Sequence, residues 1–338
     1  MNAVSFGRCP AGEVREITLS DGVGIRAKIL TLGATLRSLF VPGRDGRPVD
    51  VVLGYDSAQE YYDGGNYFGA SVGRNGNRIA DAELPLNGCI WPLTANEGRH
   101  QLHGGRDGFS HRLWDVEADE KKAVFTLVSP HLDQGFPGTM TVQVCYSLET
   151  AGELSITYRA VSDRDTVFNM TNHAYFNLSG HDSGPADGHL LSLAADAYTE
   201  VRPDLIPTGR ILSVAGTDFD LRAPTPVGEV RTRPALLATG GLDHNFVLRG
   251  TQPAAVLESP RSGIVLETLT DQPGLQVYMA GSLTACQGKN GARYDRHHAV
   301  CLETQHFPDA VHHADFPSTI LRAGETGVTR TVYRFKRR

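Results

Sequence analysis

Three stretches of the chain gather side chains able to move protons and to hold a ligand rich in hydroxyls. In Asn169-Met170-Thr171-Asn172-His173-Ala174-Tyr175-Phe176-Asn177-Leu178 an imidazole sits among side-chain amides and aromatic rings, on what reads as an alternating strand. A lone strand histidine is ordinarily structural, with its hydrogen bonds met. Here the density of amides and rings fits a carbohydrate pocket, the rings covering a sugar's CH face and the amides meeting its hydroxyls. Glu303, in Cys301-Leu302-Glu303-Thr304-Gln305, follows the apolar residues of an expected strand. A carboxylate there is costly to bury without a partner or a task. In His100-Gln101-Leu102-His103-Gly104-Gly105 the glycines let backbone crowd close to a ligand. His103 is read as a catalytic or binding residue and His100 as a surface one.

Further polar clusters follow the same style. Gly73-Arg74-Asn75-Gly76-Asn77-Arg78-Ile79 lacks the GxxxxGK[ST] order and the following helix of a phosphate loop. It reads either as a turn with solvated arginines or as an arm in which Asn77 and Arg78 donate to sugar hydroxyls, the planar guanidinium offering several fixed donors. Asp243-His244-Asn245-Phe246 and Gln276, in Pro273-Gly274-Leu275-Gln276-Val277-Tyr278, add a carboxylate and another amide. No metal is expected. His100 and His103 have a spacing that works on a helix, which Gly104-Gly105 disfavour. The tandem pairs His297-His298 and His312-His313, read as strand residues, point to opposite faces. The five cysteines never form a CxxC pair, as expected of reduced thiols in a cytoplasmic protein.

These residues must be positioned by strands. Val142, Val144, Tyr146 and Leu148 alternate with polar residues; after a turn at Thr150–Glu153, Leu154, Ile156, Tyr158 and Ala160 alternate again, a hairpin with one apolar face. Similar runs occur at Val14–Leu19, Val124–Val128, Ile264–Leu269 and Thr329–Phe335. Ser57–Tyr62 and Pro226–Arg231 each supply a helical turn or two, and no longer helical period appears, so the βα alternation of Rossmann and TIM folds is absent. No linker and no fixed-period repeat divides the chain. The expected architecture is all-β: one large antiparallel β-sandwich with little helix, a single domain over residues 1–338.

Composition narrows the function. Hydrophobic residues at 40% suffice for a packed core, and Lys+Arg 32 against Asp+Glu 38 leaves a net charge of −6, which gives no footprint for nucleic acid. The basic end, Arg334-Phe335-Lys336-Arg337-Arg338, reads as a solvated strand end. No run approaches the roughly 20 apolar residues of a membrane helix. Met1–Pro10 lacks a basic region followed by an apolar run, so no secretory signal is expected.

Taken together, the clusters resemble one family. Gly73–Ile79 is similar to the GRxxNRI element of the aldose 1-epimerase (galactose mutarotase) family. Leu102–Gly105 with Gly108-Phe109 resembles its LHGGxxGF segment, and Thr171–Leu178 its TNHxYFNL strand. Asp243–Phe246 resembles its DHNF motif, and Leu302–Gln305 with Pro308-Asp309-Ala310 its LETQxxPDA motif. Weaker matches are Gly33–Thr35, Leu205–Gly209 and Phe219–Arg222, so the similarity runs in order from about residue 12 to the C-terminus. The resemblance implies a supersandwich with an open cleft and no metal or cofactor. It also implies Glu303 as base, His173 as acid, and His103, Asn77, Arg78, Tyr175, Asp243 and Gln276 around the sugar. Gly98–Gln101, Ala280–Ser282 and Val311–His313 depart from the family's usual runs and bear on sugar preference, since such loops line a cleft rim.

The implied reaction exchanges the anomers of a free hexose such as galactose or glucose. A base takes the C1 hydroxyl proton, an acid protonates the ring oxygen, and the ring opens to an aldehyde, rotates about C1–C2 and recloses. Each positioned proton transfer contributes ~10²–10⁴-fold. An ionised Glu303 and a protonated His173 are expected to favour each other's charge. The other readings are glycoside hydrolysis by Asp243 and Glu303, a non-catalytic sugar-binding module, and an epimerase of hexose 6-phosphates. The expected partner is a small sugar, with no nucleic acid or membrane, for a monomer or weak dimer.

Overall fold

A computed structural model describes residues 3–338. Strands take 46% of the chain and helical turns 10%, well below the roughly one-third helix of an average globular domain. The expected hairpin is present with its apolar sets in register: Val142 faces Ala160, Val144 faces Tyr158 and Tyr146 faces Ile156. All six are buried. The two helical turns also form, at Ala58–Asp63 and Val227–Val230. Ser57 opens the first with a reciprocal capping box to Glu60.

The hairpin sits in a nine-stranded antiparallel sheet. Its order is Asp115–Ala118, Lys122–Ser129, Met140–Ser147, Glu153–Ser162, Thr326–Arg337, Ile264–Thr270, Ala255–Glu258, Leu190–Leu193 and Thr225–Pro226. A six-stranded sheet runs Tyr175–Phe176, Val300–Gln305, Gly274–Tyr278, Asp243–Leu248, Ala195–Val201 and Pro207–Ser213. A five-stranded sheet is built from residues 3–50, from Ala3–Cys9 to Pro48–Asp50. One apolar cluster, from Ile17 to Phe335, joins the inner faces of all three. The nine- and six-stranded sheets lock where the Tyr333 hydroxyl donates to the Leu302 carbonyl at 3.0 Å and the Phe176 and Tyr333 rings meet at 5.0 Å. The opposite face of the six-stranded sheet is also covered, by a second apolar cluster that includes Tyr55, Phe68, Tyr175, Tyr278 and Cys301.

Three expectations need correction. Arg74 is not a solvated turn residue: it is buried, and its guanidinium donates to the carbonyls of Ser129, Pro130, Pro137 and Gly138, which stitches two loops together. His100 is buried too, its Nδ1 accepting from the Asp81 amide at 3.0 Å. The tandem histidines are not on strands. His297 lies in a turn with φ 65°, and His312-His313 close a helical turn in which both rings face Asp309. The basic C-terminus is charge-paired on the sheet surface, Arg334 with Glu153, Lys336 with Glu267 and Arg338 with Glu258. No helix among the described residues is long and apolar enough to cross a membrane.

Candidate active site

Register places the polar groups. Gln276 lies directly opposite Glu303 on one neighbouring strand and opposite Asn245 on the other. Opposed residues share a sheet face, and so do residues two apart. Glu303, Gln276 and Asp243 therefore project together, and Gln276 Nε2 donates to Asp243 Oδ1 at 2.6 Å. Tyr175 pairs with Cys301, two residues before Glu303, and joins the same face. His173 sits in the link between the two-residue strands Thr171–Asn172 and Tyr175–Phe176, rather than within a continuous strand. Its backbone is tied to another segment, its amide donating to Ala70 O at 2.9 Å and its carbonyl accepting from Gly69 N at 2.8 Å.

The third wall comes from paired turns. The Asn77 amide donates to His103 Nδ1 at 3.1 Å, and the His103 amide returns a bond to the Asn77 carbonyl at 3.0 Å. Both residues have positive φ, 62° and 52°. Such backbone is uncommon outside glycine and collects at functional sites. Gly104 makes the approach possible, because a Cβ there would lie 1.9 Å from the Gly73 carbonyl oxygen. Arg78 reaches across to Glu97 as a two-pronged pair, Nε to Oε2 at 2.5 Å and a terminal nitrogen to Oε1 at 2.7 Å.

All eight residues singled out from sequence line one cleft of about 480 Å³. At its floor His173 Nε2 lies 3.8 Å from Glu303 Oε1, with both side chains almost fully buried. Glu303 Oε2, His173 Nδ1 and Gln276 Oε1 have no protein partner and remain free for a ligand. The expectation of mutual charge stabilisation is corrected. Burial is the largest influence on both groups, raising the Glu303 carboxyl well above the ordinary carboxylate range and lowering His173 to about 4. The nearby Asp243 carboxylate raises Glu303 further, and the Arg78 cation opposes both. Burial also raises Asp243, against Arg78 and the Gln276 bond. Burial works against the Arg78 cation, yet Glu97, Asp243 and Glu303 hold it above its ordinary value. Burial is the main influence holding His103 well below the ordinary imidazole value, with the neighbouring His173 and the Arg78 cation acting in the same direction.

His103, His173 and Glu303 offer ligand atoms within 4.8 Å of one another, a convergence that local spacing in the sequence does not reveal. The donor set nevertheless suits a sugar better than a metal. With its Nδ1 lone pair taken by the Asn77 amide, neutral His103 carries its proton on Nε2. That nitrogen presents an N–H suited to a hydroxyl and has no lone pair left for an ion.

Sequence reasoning missed several lining residues: Tyr67, Glu97, Tyr278 and Ser282. Glu97 lies just before the departing loop Gly98–Gln101, and Tyr67 in Gly64-Gly65-Asn66-Tyr67-Phe68-Gly69. A ring close to glycines in a polar stretch is the signal that singled out His103, and it was available at Tyr67 as well. Tyr278 and Ser282 are joined through their hydroxyls at 2.7 Å.

Comparison with known proteins gives a consistent picture. A family profile described as Aldose 1-epimerase matches residues 15–334. Galactose mutarotase of Bos taurus is 41% identical over 336 residues, covering 98% of this chain and 97% of that protein. Galactose mutarotase of Homo sapiens is 40% identical with the same coverage. A solved GalM/aldose epimerase homologue from C. elegans superposes with a TM-score of 0.88 at 31% identity, covering 95% of this chain and 98% of that one.

Proposed function

This chain belongs to the aldose 1-epimerase family, and from that premise we propose that it interconverts the α and β anomers of a free hexose such as galactose or glucose, with Glu303 as base and His173 as acid. The enzyme is an isomerase. The observation that carries the residue roles is the 3.8 Å approach of His173 Nε2 to Glu303 Oε1 at the cleft floor. The C1 hydroxyl and the ring oxygen are bonded to one carbon, so two groups this close together can reach both of them at once.

In the resting pocket burial favours a proton on Glu303 and a neutral His173. The reactive arrangement, carboxylate beside imidazolium, holds the same number of protons with one moved between the groups. Glu303 then takes the C1 hydroxyl proton as His173 Nε2 gives one to the ring oxygen, and C1–O5 cleavage yields the aldehyde. After rotation the groups act in reverse. His103 Nε2–H, Arg78 and the Asn77 side-chain Nδ2 donate to sugar hydroxyls, while Asp243 and the free Gln276 oxygen accept. Tyr175 offers its ring to the CH face.

The alternatives fare worse. A hexose 6-phosphate would bring its charge into a cleft where the one cation, Arg78, is already paired with Glu97 and Asp243 lies nearby. Glycoside hydrolysis by Asp243 and Glu303 leaves His173 without a task. We further read the whole chain, 1–338, as one catalytic unit acting in the cytoplasm as a monomer or weak dimer, with sedimentation as the check on assembly. The activity is tested by polarimetry: freshly dissolved α-galactose or α-glucose should reach equilibrium well above the buffer rate. Protein that binds sugar yet never exceeds that rate would be a binding module instead.

A further inference from the structure

Tyr67 lies outside every motif discussed above, yet its ring reaches the acid. The imidazole of His173 has two tyrosine rings nearly parallel to it, Tyr175 at 5.0 Å and 14° and Tyr67 at 6.0 Å and 17°. Tyr175 is fixed by the sheet. Tyr67 is held by a tight turn in which the Ala70 amide donates to the Tyr67 carbonyl at 3.0 Å. That turn is bonded directly to the acid's own segment, through Gly69 N to His173 O, His173 N to Ala70 O, and Asn172 Nδ2 to Gly69 O at 2.7 Å. Gly69 is required there, since a Cβ would meet the Leu36 carbonyl at 2.0 Å. Tyr67 itself has φ 54°, a conformation that bulky residues rarely adopt and that the surrounding contacts must offset. The chain thus holds a strained residue whose ring meets His103 edge-on at 4.8 Å and lies parallel to the His173 imidazole at 6.0 Å, the outer reach of a cation–π contact.

We propose that Tyr67 is a positioning residue for the acid, its ring face stabilising the His173 imidazolium that protonates the sugar's ring oxygen. The inference rests on the anomer-exchange reading above. An aromatic face is electron-rich and attracts a cation within about 6 Å, most strongly where water is excluded. The other groups facing His173 are accounted for. Glu303, from strand Val300–Gln305, supplies the carboxylate at 3.8 Å. His103, at 5.1 Å and edge-on, is neutral. Tyr278, from strand Gly274–Tyr278, meets the ring edge-on at 6.3 Å. Asp243 and Arg78 act on Glu303 and on His103. Against the burial that disfavours the imidazolium, the parallel rings are a source of stabilisation that a hydroxyl or an aliphatic side chain does not replace.

The test separates ring electronics from shape. Tyr67→Phe keeps the face and should retain most of kcat. Tyr67→Leu and Tyr67→Met fill similar space without a face, and should lower kcat roughly 3- to 30-fold with α-galactose as substrate, KM changing less. Fluorinated phenylalanines at position 67 drain the ring face stepwise at nearly constant shape, so log kcat should fall in proportion to the number of fluorines. The NMR-detected titration of His173 should move to lower pH along the same series. Wild-type kcat in both Tyr67→Leu and Tyr67→Met, or a fluorine series with no trend in rate and titration, overturns the proposal. A wild-type enzyme no faster than buffer would instead overturn the function on which it rests.

Discussion

The pH profile of the wild-type enzyme follows from the proton count of the buried pair. In the proposed mechanism the active pair holds one proton between Glu303 and His173, wherever that proton rests. Adding a second protonates the imidazole beside an already neutral carboxyl, and burial has lowered that step from the ordinary 6.5 to about 4. Removing the shared proton ionises Glu303 beside a neutral imidazole, a step that burial and Asp243 push well above the carboxylate range. A group with a lowered pKa gains its proton only at lower pH, so the acid limb moves to the acid side; a raised carboxyl loses its proton later, so the alkaline limb moves to the alkaline side. Polarimetry of α-galactose, with the buffer-catalysed rate subtracted at every pH, should therefore give a broad bell whose acid limb in kcat/KM lies near 4, the two limbs being macroscopic values of the pair. Two variants move one limb in opposite directions. Asp243→Asn removes a like charge and should shift the alkaline limb down, whereas Arg78→Gln removes an opposing charge and should shift it up. An acid limb at the ordinary imidazole value, or an alkaline limb indifferent to both variants, refutes this reasoning.

Three further outcomes are expected. Arg78→Ala and Asp243→Ala should each weaken sugar binding and turnover, by about 1.5–3 kcal/mol or roughly tenfold to a hundredfold in kcat/KM, since charge-assisted hydrogen bonds are lost and Glu97 or Gln276 is left unpaired; steady-state kinetics unchanged in both would make them merely structural. Exhaustive chelation and desalting should leave the rate intact because His103 presents an N–H to the cleft, and a rate lost with EDTA and restored by a divalent ion would contradict that. Gly104→Ala should cost more than about 1 kcal/mol, seen as a lower Tm, because the native φ of 85° suits glycine and the Gly73 carbonyl occupies the space a methyl needs.

The strands were legible wherever one face is buried and the other wet, as in the Met140–Ser147 and Glu153–Ser162 hairpin, because that alternation leaves a period of two. Residues that line the cleft were also legible, since Asn77, His103, His173 and Glu303 stand in dense polar motifs. Their convergence was not. It depends on sheet register, such as Gln276 opposite Glu303, and on turns such as Asn77 against His103, where contacts run between distant segments. Composition misread Arg74 and His100 as solvated because carbonyl and amide partners, which are backbone groups common to every residue, leave no trace in side-chain identity. The charge state of the acid–base pair was misjudged for a related reason. Attraction between two opposite charges can be inferred from their types, whereas the desolvation that outweighs it comes from the whole fold.

The most direct measurement is the rate of anomer exchange in Glu303→Gln, His173→Asn and the double variant, with sugar binding followed in parallel. Glutamine and asparagine keep much of the shape and hydrogen-bonding reach but cannot exchange the catalytic protons. The account predicts that kcat falls at least ~10²-fold in each single variant while binding is largely kept, and that the double variant is little worse, because the two groups act as one unit. A Glu303→Gln enzyme that equilibrates galactose or glucose anomers at near the wild-type rate would contradict it.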